Sequence, residues 1–438
     1  MKKLKLIMSL ALVTVIFTQC EELSEQFPDQ PKGGTGQPEG NFTVTIKNVS
    51  ETYEFFESGV FNTPDGADSP GPLLPGNSYS VSFHASKGHK LTFATMFVKS
   101  NDLFYGTSDE GLDLFDNLFE GEKAETIDIT DKVYLWDAGT EVNQEPGTGP
   151  DQPLNGGTDT GTDENGNVRM EDDPYTYPEV EETIKVTLEY DGISKFTLTI
   201  KNLEGSFTPL APGVWVTHTQ PYAIFQEDMP DYGDGLEALA EDGKPGMLGE
   251  YLAMNSGYVS PLAPGAWVVH NKTKVLFEEG KADYGYGLEA LAEDGDPSEL
   301  AGWLADEDYQ SGVFNTPNGA DEPGPLMPGD SYSFSFEANI GEYLSFATML
   351  VHTNDLFYAP DERGIRLFKG DWPADGNITK KIKLWDAGTE VNEYPGAGIH
   401  QPARLNGGVD ENGVVMPVDD KFTYPEVDQV IEVTISLN

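Results

Sequence analysis

FTVTIKNV, residues 42–49, and FTLTIKNL, residues 196–203, are nearly the same segment written twice in a chain of 438 residues. Each alternates apolar and polar side chains at period two, the pattern of a half-buried antiparallel strand. The runs YSVSFHA, YSFSFEA, IKVTLEY and IEVTISL repeat that rhythm elsewhere. Gly, Pro and Asn-Gly pairs separate them at short intervals, as in sandwiches and small barrels. An all-β protein of antiparallel sandwiches is therefore expected.

Working outward from these strands, the chain proves to be an internal repeat. SGVFNTP at 58–64 returns at 311–317, and GPL-x-PG-x-SY at 71–79 returns at 324–332. FATM at 93–96 and 346–349 leads in both copies to NDLFY, and LWDAGTEVN occurs at 135–143 and 384–392. A second repeat is nested only in the carboxyl-terminal half. PLAP-Gly-x-Trp-Val at 209–216, with His218, Phe225 and GLEALAEDG at 235–243, recurs at 261–268 with His270, Phe277 and GLEALAEDG at 287–295. GLEALAEDG is made of good helix formers closed by a glycine stop, so it reads as a short helix whose leucines cap one end of a sandwich. Read along the chain, the first domain runs over 42–191 and passes from its opening strand straight to SGVF. The second runs over 196–438 and holds both tryptophan–helix modules, at 206–255 and 258–304. The expected fold is thus two antiparallel β-sandwich domains in tandem, with short helices inserted in the second.

Charge narrows the function. There are 75 acidic residues against 26 basic ones, a formal net charge of −49, while 38% hydrophobic residues suffice for packed cores. Such a surface repels phosphate backbones and excludes nucleic acid as a partner. The amino terminus reads as a targeting segment. Lys2, Lys3 and Lys5 precede an apolar run at 6–17, too short for a membrane span. That run leads to Cys20, the only cysteine, so no disulfide forms within the chain. Residues 1–20 resemble a lipoprotein signal peptide with Cys20 as the acylated residue. Residues 21–41 read as a flexible acidic tether. The acidic pair Glu21-Glu22 resembles the surface-export signal of some bacterial lipoproteins. Attachment to the outer membrane through lipid, with the chain exposed at the cell surface, is the expectation.

The combination of the GLEALAEDG helix with the LWDAGTEVN turn resembles the spondin amino-terminal domain of matrix proteins and their bacterial relatives. The resemblance covers roughly 196–438, and 42–191 in truncated form. It implies a C2-like sandwich holding calcium, with the metal on the acid of the Asp-aromatic element and on the two acids of Asp-Ala-Gly-Thr-acid. Those are Asp102, Asp137 and Glu141 in the first copy, and Asp355, Asp386 and Glu390 in the second. Here the last acid is Glu where the family has Asp, and Asp-Leu-Phe stands where it commonly has Pro-Asp-Trp. The chemistry agrees with that assignment, because Ca²⁺ takes six to eight oxygens and two acids flanking a glycine turn can be aimed together.

The other chemistry-bearing residues have plainer readings. His218 and His270 follow tryptophan strands at equal spacing and read as packed, hydrogen-bonded histidines. Asp163-Glu164-Asn165-Gly166 reads as a turn, since it lacks EF-hand spacing. No Gly-x-Ser-x-Gly elbow is present. No catalytic residue is assigned and the chain reads as a binding module, not an enzyme. Its partner would be an extracellular glycan or matrix protein engaged by calcium-stiffened loops. A carbohydrate-active enzyme, or its carbohydrate-binding accessory module, is the alternative; Phe104, Tyr105, Phe357 and Tyr358 could stack on sugars, but buried packing is their expected use.

Overall fold

The computed structural model describes residues 39–115, 118–119, 122–157, 160–402 and 407–438; Cys20, the leader and nearly all of the tether lie outside the described residues. Among the described residues no helix is long and apolar enough to cross a membrane. The architecture is all-β, with several antiparallel sheets and short helices.

The Phe196 segment forms the strand Lys195–Asn202, and a tight turn chooses its partner. Asp191 Oδ1 accepts the amides of Ile193, Ser194 and Lys195 at 2.8–3.0 Å. The strand therefore folds back on Ile184–Tyr190 as a hairpin, with Leu198 opposite Leu188. Ser78–His84 takes its other edge and Glu125–Asp128 completes a four-stranded sheet. The Phe42 segment, strand Glu39–Asn48, goes elsewhere. It lies between Ser331–Asn339 and Ile431–Leu437, with Phe42 opposite Phe336 and Val44 opposite Ile435.

The tryptophan strands are shared out as evenly. Leu210–His218 pairs with Phe55–Phe61 and Lys90–Phe97, whereas Leu262–His270 pairs with Gln310–Phe314 and Tyr343–Leu350. Each lies second from the edge of its own seven-stranded sheet. Strand pairing thus departs from the linear division at 191/196. Residues 55–256 form one unit, inserted into a second unit made of 39–48 and 258–438. The ends of the insertion touch: Phe55 N donates to Asn255 O at 3.0 Å and Gly257 N donates to Phe55 O at 3.1 Å. Adjacent ends are what lets a host fold tolerate an inserted domain. The two FT-x-TIKN strands carry one alternation and would suit either sheet, so the short Asp191 turn, with its small closure entropy, decides.

In each unit the small sheet packs on one face of the large one. Phe83, Leu188 and Phe196 meet Phe93, Tyr105 and Trp215 in the inserted unit; Phe42, Phe336 and Ile435 meet Trp267, Phe346 and Tyr358 in the other. The outer face of each large sheet is covered as well, which is why Lys90–Phe97 and Tyr343–Leu350 are apolar and buried almost without a break. Helices Leu236–Asp242 and Gly246–Met254 lay Leu236, Leu239 and Leu252 over Val214, Val216 and Phe104. Helices Leu288–Asp294 and Ser298–Asp306 do the same over Val268 and Phe357. The leucines therefore cover a sheet face, not a sandwich end. The units meet where Tyr394 stacks on His84, ring centroids 3.5 Å apart, and touches Phe56 edge-on.

Candidate functional site

Antiparallel pairing places the acids. Strand Leu103–Gly106 starts just after Asp102, strand Tyr134–Asp137 ends in Asp137, and the two run side by side with Leu103 opposite Asp137. The second copy repeats this with Leu356 opposite Asp386, one residue after Asp355. Both Asp pairs therefore sit at one end of the large sheet, over the Asp-Ala-Gly-Thr turn. Gly139 and Gly388 hold φ of +68° and +69° there, the left-handed region that favours glycine. A Cβ on Gly139 would also come within 2.5 Å of Asn167 O.

Hydrogen bonds fix one side of each carboxyl. Asp102 Oδ2 accepts Thr140 N at 2.8 Å and Glu141 N at 3.0 Å; Asp355 Oδ2 accepts Thr389 N at 2.8 Å and Glu390 N at 3.2 Å. Asp137 Oδ1 and Asp386 Oδ1 each accept the turn-glycine amide at 2.7 Å. Their Oδ2 atoms accept Asn143 Nδ2 and Asn392 Nδ2, at 2.7 and 2.8 Å. The last acids behave differently. Glu141 spans Asn101 Nδ2 and Gly161 N, and Glu390 spans Asn354 Nδ2 and Gly408 N, so each braces two loops together. Among the described residues no three His, Cys, Asp or Glu side chains gather as a metal cage. The structure thus brings Asp102 to Asp137 and Asp355 to Asp386, and commits Glu141 and Glu390 to bracing.

Buried carboxyl pairs are electrostatically costly. Burial, then the Asp137 charge, pushes the Asp102 carboxyl up to about 8. Burial raises Asp137 to about 6, against the Gly139 amide and the Arg169 charge that favour its ionised form. Burial and then Asp386 push Asp355 up to about 7, and burial also raises Asp386. Beside each pair lie oxygens with no donor: Asp102 Oδ1, Asn143 Oδ1, Asp355 Oδ1 and Asn392 Oδ1 are buried and unpartnered. Once ionised, two carboxylates and an amide oxygen per copy only accept, and they are the donor set that a hard cation takes.

Four neighbours escape the reading of the acids alone. Asn143 and Asn392 are visible as the last letter of LWDAGTEVN. Glu293, on the helix Leu288–Asp294, comes beside Thr389 and Glu390, and burial pushes its carboxyl up to about 7; only the fold over the sheet reveals it. Arg169 lies opposite Asp137 across the strand pair and donates from Nη2 to Asp137 Oδ2 at 2.6 Å. The segment 163–166 pairs with the Asp-Ala-Gly-Thr turn through the bridge of Asp163 to Glu141, with Asn165 at φ +57°. Glu164 N and Gly166 N from that segment donate to Thr140 O and Gly139 O.

The remaining candidates pack inward. His218 and His270 are buried and hydrogen-bonded to Thr92 and Ser345. Phe104, Tyr105, Phe357 and Tyr358 are fully buried, which leaves them no surface for a sugar. No protein-family model matches this chain, and no curated protein matches it either.

Proposed function

We propose that the chain is a calcium-dependent recognition module of a bacterial cell surface, built from two C2-like sandwiches of the spondin amino-terminal kind. The carrying observation is the buried, unpartnered oxygen on Asp102 and on Asp355, each beside a second aspartate and an unpartnered asparagine oxygen. A cation there would neutralise the pair and tie the Asp-Ala-Gly-Thr turn to the neighbouring strand end. The loops at that end of the sheet would then be stiff enough to recognise an extracellular glycan or matrix protein. The acidic surface, with 75 Asp and Glu residues, suits extracellular calcium and rejects nucleic acid. The alternative, a carbohydrate-active enzyme or accessory module, loses its proposed stacking groups to the core.

Calcium tests this directly. Added to chelated protein at about 100 times Kd, Ca²⁺ should stabilise the fold by about 2.7 kcal/mol. An unchanged thermal melt removes the calcium reading. A glycan and matrix-protein array, probed with and without chelator, then asks whether recognition follows the metal. Membrane attachment would rest on Cys20 alone: Cys20→Ser should move the protein from the membrane fraction to the soluble one. Retention of that variant in the membrane with normal processing would refute the anchor.

A further inference from the structure

The two constellations match residue for residue except at one register position, and that position carries charge. Opposite Asp137 stands Arg169; opposite Asp386 stands Met416. Arg169 donates from Nη2 to Asp137 Oδ2 at 2.6 Å, and its Nη1 lies 3.1 Å from Glu164 Oε1. The guanidinium is thus lodged between the acid of the turn and the acid of the 163–166 segment that pairs with it. In the second copy the corresponding acids are Asp386 and Glu411. Among the described residues no Lys, Arg or His forms an ion pair with Asp355, Asp386 or Glu411. The Glu293 carboxylate adds its charge to Asp355, as Glu164 adds its own to Asp102. Asp355 is itself fully buried with Oδ1 unpartnered, and Asp386 is the charge that presses on it most.

We propose that the copies have divided the work: Arg169 serves as a permanent, built-in cation in the inserted unit, and the Asp355–Asp386 site alone takes a divalent cation. This rests on the calcium reading above and makes it specific. A guanidinium is always charged and fixes a carboxylate with directed hydrogen bonds. The inserted unit therefore keeps its turn braced whatever the calcium level. The outer unit has an equal need for positive charge and, among the described residues, no side chain that meets it, so its turn would be ordered only when calcium is present. One unit would be constitutively rigid and the other calcium-responsive.

The test is the stoichiometry of Ca²⁺ bound to the full chain, by equilibrium dialysis and calorimetry, across four forms. Wild type should bind one ion, Asp386→Asn none, Asp137→Asn one, and Arg169→Met, which copies the second site's residue, two. Two ions in the wild type would overturn the proposal while leaving the calcium reading intact. So would loss of the ion on Asp137→Asn, or a single ion in Arg169→Met. No ion in either the wild type or Arg169→Met would overturn the calcium reading itself. If Arg169→Met fails to fold, Tb³⁺ luminescence decides. Trp385→Phe should abolish sensitised emission and Trp136→Phe should spare it; the reverse pattern refutes the proposal.

Discussion

His218 shows how a residue can resemble chemistry and serve packing. Nδ1 lies on Gln220 O, a group that can only accept, so Nδ1 carries the proton and Nε2 accepts from Thr92 Oγ1 at 2.8 Å. Burial, with Lys90 adding repulsion against the Gln220 carbonyl's pull, lowers its pKa to about 4. A histidine depressed in the folded state is protonated first in the unfolded chain. Its contribution is therefore complete above about pH 6.5 and drains away as pH falls toward 4. Between pH 7 and pH 5 the wild type should lose about 2 kcal/mol more than His218→Gln, as read from urea unfolding. Equal losses would mean that the ring is solvated. At this scale the sequence was a good guide where residues sit inside a repeated motif. Asp102, Asp137, Asp355 and Asp386 were legible because LWDAGTEVN and NDLFY occur twice. Arg169 was not, because it lies outside the repeated words and touches Asp137 only through strand pairing. The bracing role of Glu141 and Glu390 was equally hidden, since the Gly161 and Gly408 amides they hold come from loops with no pattern of their own.

The strands were legible from alternation, and the first GLEALAEDG helix from its composition and glycine stop. The helices that follow, Gly246–Met254 and Ser298–Asp306, went unread because their glycines weaken the helical signal and their apolar faces are short. Glycine plays opposite parts in these elements, which supplies a test. Gly213 lies where the pairing of the Trp215 strand with Lys90–Phe97 shifts register. A Cβ there would meet Ala94 O at 2.1 Å and Phe61 Cζ at 2.4 Å. Backbone cannot yield as a flexible side chain can, so Gly213→Ala should cost at least about 2 kcal/mol. Gly302, exposed within Ser298–Asp306, has nothing within 4 Å of an added Cβ. Gly302→Ala should stabilise by about 0.5–1 kcal/mol through helix propensity alone. Denaturant midpoints that move the same way for both variants would show that the strand shift and the helix are misassigned.

At the scale of the whole molecule, the sequence gives two copies but hides how they are cut from the chain. Period-two alternation is degenerate: FTVTIKNV and FTLTIKNL satisfy either four-stranded sheet, and reading order favours the wrong neighbour for each. The one local clue was the Asp191-Gly192-Ile193-Ser194 turn between two alternating runs, which is a hairpin signal. Strand pairing leads to an outcome opposite to that of a linear division. Deleting the chain through Asn48 removes a central strand from the outer unit, uncovering Phe334, Phe336, Val433 and Ile435, residues near the far end of the sequence. Each such side chain is worth roughly 1.5–3 kcal/mol of burial, so their joint exposure is comparable to the whole stability of an ordinary domain. The inserted unit keeps all its strands. Limited proteolysis of the truncated chain should therefore digest 258–438 and leave 55–256 protected. A fragment of 52–256 expressed alone should unfold cooperatively as a monomer. A fragment of 42–191 should not fold, since it lacks the Phe196 and Trp215 strands, each hydrogen-bonded on both edges. Protection of 258–438 with digestion of 55–256, or a cooperative 42–191 fragment, would show that the Phe42 strand belongs to the first copy after all.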